Sequence, residues 1–245
     1  MRLDAFLADI ALCDSRTDAK KFILAGDVTV NGSVIKKPAY EIVGDEDIKV
    51  DKSSKKYVGR GGFKLEAALS FFDVKVDSKL AIDIGASSGG FTDCLLKNGA
   101  THVIAVDSGS GQLVDALRRD ARVTVVENYN ARYMSPKDFE YIPNLAVMDV
   151  SFISATLIMP SLKNCLADGA DFICLIKPQF EVGKSGLGKG GIVKNTAIRQ
   201  SAVNKVVDFA IAVGFELLAV RESPIIGGDG NIEYLAHFKN RKSIL

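Results

Sequence analysis

The sequence predicts an α/β protein: a doubly wound, mainly parallel sheet preceded by a small α+β unit. Three observations carry that expectation. Apolar runs at 81–84, 102–107, 123–127, 145–150 and 172–177 alternate with helical stretches, the order of a parallel sheet wound by crossover helices. The first run passes into a glycine-rich turn, Asp83-Ile-Gly-Ala-Ser-Ser-Gly-Gly-Phe91, and the second ends in an acid, Asp107. Residues 1–50 are patterned differently, as two short helices followed by an Asn-Gly hairpin.

In the first unit, residues 2–12 put Leu3, Phe6, Leu7 and Ile10 on one helical face. Ser15 to Asp18 reads as a capping box opening a second helix, which runs to Ala25 and stops at Gly26. Asn31-Gly32 between β-prone residues predicts a tight hairpin. A strand over 42–50, interrupted at its acids, completes the unit. Arg16 and Lys20 share a helix face, Lys21 adjoins them, and Lys36 and Lys37 follow the hairpin. Such clustered cations suit RNA phosphates, although a solvated helix face produces the same pattern. Residues 51–58 read as a polar, basic linker, and residues 59–245 as the larger domain.

In that domain, strand, glycine loop (Gly85, Ala86, Ser87, Ser88, Gly89, Gly90), the helix from Phe91 and a second strand ending in Asp107 form a nucleoside-binding unit. A dinucleotide fingerprint fails at its second glycine, and a phosphate-gripping loop fails because Phe91 follows Gly90. S-adenosylmethionine remains, since it has no phosphate and needs only close backbone approach beside its amino-acid tail. Gly85 and the following backbone are expected to hold the methionine portion, with Asp83 near its ammonium and Asp107 on the ribose hydroxyls. Asn130 or Ala131, after the third strand, borders the adenine. An unliganded glycine turn is the bland alternative. A hydrolase is the rival reading, because Gly85, Ser87 and Gly89 match G-x-S-x-G, with His237 as the histidine late enough in the chain.

Later segments follow the same alternation: a helix over 155–167, a long amphipathic helix over 196–213, and strands at 216–221 and 232–238. Glu181 to Lys194 superficially resembles a phosphate loop, but Gly190 stands where Ser or Thr would bind metal. A flexible basic lid fits its position after the fifth strand. Composition is that of an ordinary globular protein, 47% hydrophobic and 25% charged, and a net charge of +1 announces no nucleic-acid partner by itself. Four scattered cysteines in apolar surroundings are expected as buried free thiols in a reducing compartment. No signal peptide and no membrane span are expected, so the predicted location is the cytoplasm.

Four polar residues fall at or near strand ends: Lys64, Asp149, Lys177 and Glu233. A lysine closing an apolar strand is costly unless paired, so Lys177 has either a structural salt bridge with Asp149 or a chemical task. Together the four resemble the Lys-Asp-Lys-Glu tetrad of FtsJ-like ribose 2′-O-methyltransferases. The first unit is similar to the αL RNA-binding motif of a small-subunit ribosomal protein, pseudouridine synthases and certain methyltransferases. Its matches are Arg2-Leu-Asp4, Ser15-Arg16, Ala19, Gly26, Val28, Val30-Asn-Gly32 and Pro38.

With Tyr57-Val-Gly-Arg-Gly-Gly-Phe-Lys64, Asp83 to Asp93, Asp149 to Ser154 and Lys177-Pro-Gln-Phe-Glu181, the whole chain resembles the TlyA (haemolysin-A-like) family of ribosomal RNA 2′-O-methyltransferases. The resemblance implies a Rossmann-like, class I S-adenosylmethionine-dependent methyltransferase fold whose last strands pair antiparallel. It implies action on a cytidine of ribosomal RNA or of a ribosomal subunit; a monomer is expected. Structured RNA would be gripped by the second helix and hairpin, with Arg2, Arg16, Lys20, Lys21, Lys36 and Lys37 as contacts. Lysine serves as a base only as the neutral amine, which a second ammonium and a dry site favour. Lys177 is therefore expected to take the hydroxyl proton, with Lys64 favouring its neutral form and steering the ribose. Asp149 and Glu233 would fix the lysines. A non-catalytic RNA-binding protein and a small-molecule methyltransferase are the remaining classes, separable by loss of Lys177 and by salt sensitivity.

Overall fold

Alternate residues along the central strands face opposite helical layers, and this period of two builds the larger part of the molecule. The computed structural model describes residues 1–51, 56–183, 186–227 and 229–241, which form two compact units, Met1–Lys56 and Tyr57–Leu245. Half of the segment read as a linker, residues 52–55, lies outside the described residues, as do 184–185 of the glycine-rich stretch.

The first unit comprises α1 (Leu3–Asp9), α2 (Arg16–Ala25), β1 (Val28–Val30), β2 (Ser33–Val34) and β3 (Ile48–Val50), the strands ordered β2-β1-β3 and antiparallel. Asn31 and Gly32 both take positive φ, 49° and 77°, as a two-residue hairpin turn demands. Helix α1 stops short of the expected Leu12 because the chain turns back, with Cys13 N donating to Leu7 O at 2.9 Å. The Ser15 hydroxyl accepts from Asp18 N at 3.2 Å, but the Asp18 carboxylate turns to Asp14 N at 3.4 Å, so the capping box is half closed. The strand expected over 42–50 is reduced to β3, since the Glu46 carboxylate accepts from Val43 N and Gly44 N at 2.8 Å each and curls that stretch into a turn. Leu3, Leu7, Phe22, Ile23 and Val28 make the core.

The second unit comprises α3 (Gly61–Phe72), β4 (Leu80–Ile84), α4 (Gly90–Lys97), β5 (His102–Val106), α5 (Asp115–Arg118), β6 (Val123–Val126) and β7 (Leu145–Met148). It continues with α6 (Met159–Cys165), β8 (Asp171–Ile176), α7 (Pro178–Glu181), α8 (Thr196–Ala212), β9 (Phe215–Glu222) and β10 (Tyr234–Asn240). Strand order is β6-β5-β4-β7-β8-β10-β9, parallel from β6 to β8, with β10 antiparallel to both neighbours. Even-numbered strand residues such as Ile82, Ile104 and Met148 share a core with Leu162 of α6 and Val206 of α8. Odd-numbered ones such as Ala81, Val103 and Val147 share a core with Leu65 of α3 and Leu95 of α4. The expected helix over 155–167 is split into a 3₁₀ turn, Ala155–Leu157, and α6, with Pro160 in the first turn of α6, where its missing N–H costs least. β5 lies on one side of β4 and β7 on the other, so a crevice opens at the carboxyl ends of these strands.

Candidate active site

The crevice is built from short turns. Gly85, at φ 85°, follows β4 directly, and a side-chain carbon there would collide with the Asp149 carbonyl oxygen, so the loop lies flat across the end of β7. This leaves a cavity of about 330 Å³ bordered by Gly85, Ser87, Asp107, Asn130, Ala131 and Asp149. No lysine or arginine lines it among the described residues. An acid-edged, cation-free cavity disfavours a phosphate and suits a ligand with positive charge, such as a sulfonium and an α-ammonium.

The Asp107 carboxylate accepts from Ser87 N at 2.8 Å and Gly109 N at 2.7 Å, joining the glycine loop to the turn after β5. Each of its oxygens retains acceptor capacity for a ribose hydroxyl. A smaller cavity beside the first is lined by Arg60, Gly61, Ala86, Ser88, Gly90 and Phe91, and Asp149 borders both. Asp83 and Gly89 line neither. Gly89 caps α4, and the Asp83 side chain is fully buried beneath the loop, accepting from Thr92 Oγ1 at 2.7 Å. Burial pushes the Asp83 carboxyl up to about 7, against the Thr92 hydrogen bond and with help from the negative charge of Asp149. Its Oδ1 has no hydrogen-bond partner.

The four polar residues converge, three from strand ends and Lys64 from a helix. Ile84 pairs with Met148, Met148 with Cys174 and Ile176 with Tyr234, so Asp149, Lys177 and Glu233 sit at one edge of the sheet. Lys64, in the first turn of α3, reaches Glu233 at 2.5 Å. Lys177 Nζ lies 2.6 Å from Asp149 Oδ1 and donates to Ser151 Oγ at 2.8 Å. Each lysine thus has its own carboxylate. The arrangement follows from burial, because an ammonium away from water needs a counter-charge.

Two features here were not singled out from the sequence. Phe152 takes φ 64°, is 92% exposed at the rim of the larger cavity, and lies against Phe180 with ring centroids 5.1 Å apart. Glu181 is buried and accepts from Ser154 Oγ at 2.5 Å and Ala155 N at 2.8 Å, fixing the loop that carries Asp149, Ser151 and Phe152. Neither has a local sequence signal beyond a polar or aromatic residue after a strand.

The hydrolase reading fails on geometry. The Ser87 hydroxyl meets Gln112 Oε1 at 3.2 Å, while His237 Nε2 lies 2.8 Å from Asp171, at the amino-terminal end of β8 and so at the opposite edge of the sheet. In the glycine-rich stretch, Asn231 accepts from Val193 N at 3.0 Å and donates to Gly191 O at 3.1 Å, tethering its described end. In the first unit, Arg2 and Arg16 each contact the buried Asp4, at 3.0 and 3.1 Å, and hold its carboxyl at about 2. Lys20, Lys21, Lys36 and Lys37 are exposed.

Comparison with known proteins identifies the family. Residues 57–240 match the FtsJ-like methyltransferase family model, and residues 1–48 match the S4 domain. A Mycobacterium tuberculosis protein named 16S/23S rRNA (cytidine-2′-O)-methyltransferase TlyA is 41% identical over 95% of this chain and 87% of its own. The chain belongs to the TlyA family of FtsJ-like methyltransferases. Another relative, Hemolysin A of Brachyspira hyodysenteriae, is 44% identical over 97% of this chain and 99% of its own. A solved Streptococcus thermophilus chain with a provisional hemolysin name is 44% identical, covers 99% of this chain and 89% of its own, and superposes with a TM-score of 0.78. As a TlyA-family protein the chain is an S-adenosylmethionine-dependent methyltransferase with an S4 RNA-binding domain. No helix among the described residues is long and apolar enough to cross a membrane.

Proposed function

We propose that the enzyme methylates the 2′-hydroxyl of a cytidine in ribosomal RNA, with Lys177 as proton acceptor. One observation carries the reading: two lysine–carboxylate pairs, the buried Lys64–Glu233 and the half-buried Lys177–Asp149, stand at one sheet edge beside an acid-lined cavity. The name of the Mycobacterium tuberculosis relative supports the choice of nucleotide.

S-adenosylmethionine, when bound, supplies an electrophilic methyl on a sulfonium. Gly85 and the loop backbone accommodate its methionine end, Asp107 takes ribose hydroxyls, and Asn130 and Ala131 border the base. The incoming RNA hydroxyl is a weak nucleophile and must lose its proton as it attacks. Lys177, as the neutral amine, accepts that proton, while Lys64 and Glu233 hold the ribose in line. General-base help of this kind is worth about 10²–10⁴-fold, and orientation supplies much of the rest. Exposed Phe152 offers a ring face to a nucleobase, and stacking of that kind is worth about 1–3 kcal/mol per base. Lys20, Lys21, Lys36 and Lys37 grip phosphates. A ribosomal substrate puts the enzyme in the cytoplasm, where its four buried free cysteines are at home.

The test uses labelled S-adenosylmethionine and purified ribosomal subunits, followed by mapping of the labelled nucleotide. Lys177→Ala should abolish methyl transfer while calorimetric cofactor affinity stays within twofold. Label on a base rather than a ribose, or turnover by Lys177→Ala, would refute the reading.

A further inference from the structure

We infer that Ser151 is a positioning residue that aims the Lys177 amine at the RNA hydroxyl, an inference that rests on Lys177 being the proton acceptor. The Ser151 hydroxyl accepts from Lys177 Nζ at 2.8 Å, on the side chain that also lies 2.6 Å from Asp149 Oδ1. A neutral lysine amine has two N–H bonds and one lone pair at the three corners left by its carbon. It turns easily about its last bond, so a single carboxylate neighbour leaves the lone pair free to point in either remaining direction. The Ser151 hydroxyl fixes the direction of one N–H, and the neighbouring Asp149 charge turns the lone pair away from itself, toward the remaining corner. Asp149 contributes charge, and Ser151 contributes the directional hydrogen bond.

The hydroxyl is itself held in place. Ser151 lies in the loop from Asp149 to Ser154, whose start is fixed by Asp149 N donating to Ile84 O at 2.9 Å. Its end is fixed by Ser154 Oγ and Ala155 N donating to the buried Glu181 carboxylate. Phe152, at φ 64°, turns the chain directly after Ser151. Ser151 also lines the larger cavity with Gly85, Asp107 and Asp149, so the hydrogen bond is made where methyl donor and hydroxyl meet. In the step itself the ribose oxygen forms a bond to the methyl carbon as the sulfonium carbon–sulfur bond breaks. Sulfur keeps that electron pair and leaves as a neutral sulfide, while the hydroxyl proton passes to Lys177 Nζ and from there to water.

The experiment compares wild type, Ser151→Ala, Ser151→Thr and Lys177→Ala in steady-state turnover, varying tritiated S-adenosylmethionine and purified bacterial ribosomal subunits in turn. Ser151 is exposed, so the substitutions should fold normally. Ser151→Ala should lower kcat about tenfold to a hundredfold, the scale of a misaimed reacting group, with KM for both substrates within twofold. Ser151→Thr, which keeps the hydroxyl, should recover to within threefold of wild type. An alanine variant as fast as wild type, a threonine variant as slow as alanine, or a loss carried by KM would overturn the Ser151 assignment while an inactive Lys177→Ala left the parent reading standing. Turnover by Lys177→Ala would remove both.

Discussion

Lys64 and Glu233 stand 169 residues apart in the chain, yet their side chains meet at 2.5 Å with relative exposures of 10% and 3%. The contact ties the first turn of α3 to the residue preceding β10 and forms one half of the proposed catalytic group. Removing one partner strands a buried charge, which costs about 3–5 kcal/mol, whereas replacing both by apolar residues of similar volume is often near neutral. Lys64→Ala and Glu233→Ala should each lower urea-unfolding stability by that amount. The double variant Lys64→Met, Glu233→Leu should recover most of it and remain inactive in methyl transfer. Recovered activity in the double variant would reduce the pair to a structural bridge.

Asp107 joins two turns, and the proposal also gives it the ribose hydroxyls, so its substitution tests both. Its carboxylate holds Ser87 N and Gly109 N, and a hydrogen bond to a charged group is worth about 1.5–3 kcal/mol. Asp107→Ala should therefore weaken S-adenosylmethionine binding by tenfold or more in calorimetry. Asp107→Asn, which retains one acceptor, should lose less. An alanine variant with unchanged affinity would move the ribose elsewhere.

What the sequence disclosed was local. The run from Leu80 to Phe91 names a strand, a turn and a helix because apolar period, glycines and helix start are contiguous, and the structure has β4, the loop and α4 there. The possible Asp149–Lys177 salt bridge was legible because both residues close apolar strands. Helix α3 was not, since it opens on Gly61-Gly62, poor helix formers, and its apolar spacing at Leu65, Ala68, Leu69 and Phe72 stands behind them. Nor could the sequence say that Asp4 is buried and engages Arg2 and Arg16, because that depends on how α1 meets α2. The exposure of Phe152 follows from one positive φ, and the seat of Glu181 from a contact across 27 residues.

The Asp4 contacts divide the basic residues of the first unit into two kinds. Arg2 and Arg16 neutralise a carboxylate with no exposure, so Arg16→Ala should mainly destabilise that unit. Lys20, Lys21, Lys36 and Lys37 are exposed and suited to phosphate. Alanine at those four positions should leave thermal stability unchanged. It should reduce the slope of log affinity against log salt for purified 23S rRNA by about 0.7–0.9 per lost phosphate contact. A wild-type slope retained by the quadruple variant would remove these lysines from the RNA interface.

Asp83 makes stability depend on pH in an unusual direction for a carboxylate. Its folded value is raised to about 7 by burial, against about 3.9 in an unfolded chain. The folded state therefore binds the proton more tightly, so this group's contribution is fully present below about pH 4 and is lost as pH rises through 7. Asp83→Asn stays neutral throughout and can still accept from Thr92. Between pH 5 and 8, wild type should lose about 2–3 kcal/mol relative to Asp83→Asn, measured by urea unfolding of the ligand-free protein. The two stability curves should run parallel above pH 8, where Asp83 is ionised, and diverge only on the acid side. Parallel curves across the whole range would mean that Asp83 is charged in the fold, and that its orphan oxygen has a counter-charge after all.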